Sequence, residues 1–203
     1  MGREVLKKIK FSLNLGIIGA DNSGIDFLIG YLKRNALRND NNEKLNEFLI
    51  IYHDIPVKIK VFNGKDFVQL NERYEDIRRI DAIIVIIDIY NLNSFNGDLF
   101  KGFEEFNKVY MFKGVSILVG IDKFFIENGF LSDKLRISRI NLIQKAKDLG
   151  FLYCFEIQNK NNDILEIFNK FIDNFMIKLR NINPELLERA KTYGKELNDQ
   201  FNS

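Results

Sequence analysis

Cysteine, histidine and proline are scarce in this 203-residue chain, which holds one, one and two of them. A lone Cys154 cannot close an internal disulfide, and its place in the apolar run FLYCFEI favours a buried, reduced thiol over a ligand or nucleophile. His53 falls beside Asp54 at an expected strand end, where a structural or surface role outweighs a catalytic one. Neither charge is in surplus: 30 Lys and Arg stand against 28 Asp and Glu, and a balance of +2 argues against a surface built mainly for nucleic acid or anionic membrane. No apolar stretch approaches the ~18 residues of a membrane span. The opening MGREVLKKIKF is too polar for a signal peptide, Leu6 replaces the Ser or Thr of a myristoylation motif, and the closing QFNS has no prenylatable cysteine. These absences predict a cytoplasmic chain without a stable membrane anchor, long enough for one domain with a substantial core.

What is present is an alternation of strands and helices. LNLGIIGA (Leu13 to Ala20), FLIIYH (Phe48 to His53), VKIKVF (Val57 to Phe62), AIIVIID (Ala82 to Asp88) and VSILVG (Val115 to Gly120) read as strands, with YCFEI from Tyr153 as a sixth. The second and third flank DIP, whose proline suits a turn, so they are expected to pair as an antiparallel hairpin. Apolar residues three or four apart predict helices over Ile25 to Leu37, Phe67 to Arg79, Phe95 to Phe106, Ser132 to Leu149 and Ile164 to Leu179. This order predicts an α/β fold: a six-stranded, mostly parallel sheet with one antiparallel hairpin strand and helices on both faces. RNDNNEKLNE (Arg38 to Glu47) reads as a polar loop. Asn183 and Pro184 suit the cap and first position of a final helix, so residues 1–181 are expected as the domain and 182–203 as a helical extension that packs on it or docks a partner.

Between the first strand and first helix, Gly19 and Gly24 have the spacing of the phosphate-binding loop, G-x-x-x-x-G-K-[S/T]. Further on, RYEDIRRIDAIIVIIDIYNLNSF, VSILVG and KAKDLGFLYCFEIQNKNNDILEIFNKFI follow one another in an order that resembles the Ras superfamily of small GTPases, nearest the Rab branch, over roughly residues 10 to 180. The resemblance implies a Ras-like P-loop fold, with Arg38 to Glu47 in the place of a switch segment.

The residues that would do nucleotide chemistry are replaced at each station. In the phosphate loop Asp21, Asn22 and Ser23 precede Gly24, and Ile25 and Asp26 stand where the family has its lysine and magnesium-binding hydroxyl. A carboxylate ~4 Å from a phosphate charge costs about 4 kcal/mol at an effective dielectric near 20. Asn63 replaces the aspartate of D-x-x-G, Gly64 follows too soon, and Lys65 stands where the water-orienting glutamine is expected. N-K-x-D becomes IDKF, placing Ile121 at the base-contacting asparagine, Asp122 at the stacking lysine and Phe124 at the guanine-binding aspartate; of S-A-K only Lys160 survives. Phe124 and Phe125 follow a strand's carboxyl end, and either plug the vacated pocket or pack under the next helix.

These substitutions predict a pseudo-GTPase: no catalytic residues, no metal, no bound cofactor, and a role as an interaction or scaffolding module. Its expected partner is a protein, such as another GTPase-like or adaptor subunit, met by the hairpin edge and the segment from Asn63 to Tyr74. The alternative is a divergent protein that binds GTP and Mg with a compensating lysine, such as Lys65 or Lys160. A receiver domain of the response-regulator type, with Asp88 as acceptor and Lys123 as its lysine, is disfavoured because GADN is not a paired-acid loop and the hairpin has no place in that topology.

Overall fold

The computed structural model describes residues 11–20, 23–41, 46–74, 77–122, 136–158 and 162–202. Its strands are β1 (Phe11–Gly19), β2 (Arg38–Asn41), β3 (Asn46–Tyr52), β4 (Ile55–Gly64), β5 (Ala82–Asp88), β6 (Val115–Ile121) and β7 (Tyr153–Ile157). They form one sheet in the order β2-β3-β4-β1-β5-β6-β7, antiparallel across β2–β3–β4 and parallel elsewhere. The continuous apolar run of β5 has the environment such a run demands, with every residue from Ala82 to Ile87 fully buried.

Helices cover both faces. They are α1 (Ile25–Asn35), α2 (Phe67–Arg73), α3 (Leu92–Asn96), α4 (Asp98–Tyr110), α5 (Arg139–Asp148), α6 (Asn162–Ile182) and α7 (Pro184–Asn202). On one face Leu15, Ile17, Ile84 and Ile117 meet Leu28 and Leu32 of α1 and Ile167, Phe168 and Phe171 of α6. On the other, Ile83, Val85, Ile87 and Leu118 meet α2, α4 and α5 through rings such as Phe67, Phe103 and Phe106. Phe103 stacks on Phe151 at 4.0 Å between centroids, which accounts for part of the phenylalanine content of the chain.

Several sequence expectations are corrected. Among the described residues the sheet has seven strands, because the polar stretch from Arg38 supplies β2, paired to β3 from Arg38↔Leu49 to Asn41↔Asn46. A strand of Arg, Asn and Asp has no apolar alternation to announce it; its ladder hydrogen bonds make it a strand. It also displaces β3 from the sheet edge, so β2 covers the hairpin edge that was expected to meet a partner. The hairpin turn is His53–Asp54 rather than the proline: both residues have positive φ (47° and 64°), the two-residue geometry that matches strand twist, and Pro56 lies in β4 opposite Ile51. The helix expected over Phe67 to Arg79 ends at Arg73 and is followed by a 3-10 turn at Ile77–Arg79. The helix expected from Phe95 is two, α3 and α4, and α5 is described from Arg139, capped by the Ser138 hydroxyl.

The final helix begins as read, with Pro184 in its first turn and the Asn183 side chain accepting the Leu186 N–H at 3.0 Å. It packs on its own domain. Leu187 and Ala190 are buried in the core, and Gly194 sits so close to the hairpin turn that a Cβ there would lie 1.9 Å from the Asp54 carbonyl oxygen. Among the described residues no helix is long and apolar enough to cross a membrane.

Candidate functional site

Open α/β sheets place ligands at the carboxyl ends of their strands, and here β1, β5 and β6 bring Gly19, Asp88 and Ile121 to that end, with Asp88 in register with Ile121. After β1 the Ser23 N–H donates to the Ala20 carbonyl at 2.9 Å, closing a tight turn. One backbone donor that a phosphate cradle would offer is therefore spent within the loop. Both glycines are required by packing. A Cβ on Gly19 would stand 2.9 Å from Ser23 Cβ and 3.0 Å from the Ile86 carbonyl oxygen, while Gly24 has φ 96° and a Cβ there would meet Ile121 Cδ1 at 2.8 Å.

Gly24 starts α1 without a side-chain cap, and the exposed Asp26 is the acid in its first turn. That carboxylate sits where the partial positive charge of a helix N-terminus favours an anion. Ile25 is half-buried against the core beside α1. Ser23 is 4% exposed, and its Oγ has no hydrogen-bond partner among the described residues.

Ile121 and Asp122, at the end of β6, turn inward. Ile121 is fully buried and its δ-methyl lies over Gly24, so the end of β6 packs hydrocarbon on the loop. Asp122 is 2% exposed, and Tyr90 donates its hydroxyl to Asp122 Oδ2 at 3.3 Å. Sequence reasoning missed Tyr90. Its signal was available, since it lies two residues past the end of β5, where the register of β5 and β6 brings it to Asp122. Asp88 Oδ1 accepts the Tyr90 N–H at 3.0 Å, a local turn contact.

Asn63 and Gly64 end β4, and α2 follows at once. Asp66 caps it by accepting the Gln69 N–H at 2.8 Å, while Gln69 Oε1 accepts the Lys65 N–H at 2.9 Å. These reciprocal bonds pin the segment. Asp21, Asn22, Lys123, Phe124, Phe125 and Lys160 lie outside the described residues.

Two further singled-out groups are His53 and Cys154. His53 is exposed in the hairpin turn with its ring against Tyr52. Cys154, expected buried, is half-buried on the edge strand β7, and desolvation pushes its thiol up to about 11, away from nucleophilic use. Among the described residues no group of three His, Cys, Asp or Glu is placed to hold a metal. Neither a protein-family model nor a curated protein matches the chain.

Proposed function

We propose that the chain is a pseudo-GTPase, a Ras-like fold that works without nucleotide as a protein-interaction module. One observation carries this reading: Ile121, at the position of the base-contacting asparagine, packs its δ-methyl onto Gly24 of the phosphate-loop counterpart. Phosphate and base stations are thereby joined by carbon, and a site that loses its hydrogen-bond partners forfeits several decades of discrimination. The strand order, with a parallel β4-β1-β5-β6-β7 half and an antiparallel hairpin at the other edge, supports the resemblance.

The interaction face is the pinned α2. Together with α4 it forms a groove of about 560 Å³, and Val68 and Val109 stand 70% and 69% exposed in its lining. Asp66, Asp98 and Glu105 line it against the single ammonium of Lys101, which suits a protein segment with an apolar face and basic flanks. With no γ-phosphate to sense, this face holds one state rather than switching.

The competing reading, a divergent nucleotide-binding protein, draws support from the buried, unpartnered Ser23 hydroxyl in the turn. Calorimetric titration with GTP and magnesium separates the two. The proposal expects no heat of binding at millimolar nucleotide; micromolar or tighter affinity would overturn it.

A further inference from the structure

A second cavity lies at the opposite, amino-terminal end of the sheet, where β5 and β6 begin. It has a volume of about 450 Å³, within the range of small-molecule sites, and opens between the end of α4 and the last turns of α6. Ile80, Val115 and Phe171 are its buried apolar lining; Phe175, Leu179 and the 81% exposed Ile182 extend that surface to the mouth. Met111, in the left-handed conformation at φ 45°, ends α4 and leads into Phe112 and Lys113 on the other side.

The charges of this cavity are unequal in number and in use. Three cations line it, Arg78, Lys113 and Lys178, against one acid, Asp81. Asp81 is turned to the neighbouring strand, where its Oδ2 accepts the Asn14 N–H at 2.7 Å. Lys113 and Lys178 are exposed, and among the described residues neither takes part in a hydrogen bond or an ion pair. The cavity thus offers an apolar body with two exposed lysines in its lining, Lys113 and Lys178, of which Lys178 also acts on Asp81 through space.

We infer that this cavity binds a small amphiphilic carboxylate, with its hydrocarbon part against Phe171, Phe175 and Leu179 and its head between Lys113 and Lys178. The cationic mouth selects the charge sign of the head, and the limited volume selects a short or medium hydrocarbon body over a long one. A basic peptide segment would meet like charge at the same mouth. The site is independent of the nucleotide-free reading above, since it lies at the other end of the sheet.

Decanoate, decanol and decylamine, titrated below their aggregation concentrations, test this by calorimetry and by amide chemical shifts. Decanoate is expected to bind one-to-one, at least tenfold more tightly than decanol and more tightly still than decylamine. The shifts are expected to concentrate at 110–115 and 174–182. Lys113→Glu with Lys178→Glu, both at exposed positions, should weaken decanoate at least tenfold while leaving the melting temperature near that of the parent. Equal affinity for the three head groups, decanoate binding unchanged in the double variant, no saturable binding, or shifts centred on the α2–α4 groove would each overturn the assignment. So would a concentration-dependent dimer that buries Ile182 and excludes decanoate.

Discussion

The two ends of the sheet are built on the same strands and have opposite fillings. At the carboxyl end, where this architecture places its ligands, Ser23, Ile121 and Asp122 are buried, and the space above both loop glycines is taken by side chains. At the amino end a cavity of about 450 Å³ stays open between helices. Packing and chemistry can therefore be redistributed within one fold. A loop kept for its turn need not be kept for its ligand, and function is to be argued from the site and not from the scaffold.

Breaking the filled end should give the largest effect. Ile121→Asn supplies the amide that the proposed reading finds missing, yet removes a fully buried aliphatic side chain and leaves a polar group in its place, so a loss of about 3–5 kcal/mol is expected. Urea unfolding measures it, and the surviving folded fraction should bind GTP no better than the parent. Gly24→Ala follows, at about 2–3 kcal/mol, from a positive φ and a contact that forces Ile121 to shift. An unchanged unfolding midpoint would mean that the turn is loose enough to accept a ligand.

The smallest effect sharpens the open end. Burial raises the pKa of Asp81, opposed by the Asn14 N–H bond and by Lys178. A folded pKa above the unfolded one means the folded state holds its proton longer, so stability falls as pH rises from the ordinary aspartate range through the raised value. Asp81→Asn keeps an acceptor for Asn14 and removes that slope. Denaturation midpoints compared at pH 4 and pH 7 should therefore show the variant gaining on the parent at the higher pH.

The parallel half of the sheet was legible because burial on both faces writes continuous apolar runs such as AIIVIID. The helix cap at Asn183 and Pro184 was legible for an equally local reason. β2 was not, since Arg38–Asn41 carries no periodicity and is a strand only through its ladder with β3. The turn was misplaced by one step because proline marks turns often, whereas His53 and Asp54 adopt positive φ under the demand of the hairpin. At the candidate site the tight turn between Gly19 and Gly24 was legible from the glycine spacing. The contact between Tyr90 and Asp122 was missed, because it joins residues 32 apart whose closeness follows only once the β5–β6 register is known. The amino-end cavity had no sequence signal, being a gap between elements.

The docking of the final helix on the hairpin sets an order of events during synthesis. The hairpin turn at His53–Asp54 leaves the ribosome long before Gly194, Leu187 and Ala190 exist to cover it. Until they arrive, an apolar flank of the nascent sheet faces water or a chaperone, and translation that stalls upstream of Pro184 leaves an incomplete, aggregation-prone product.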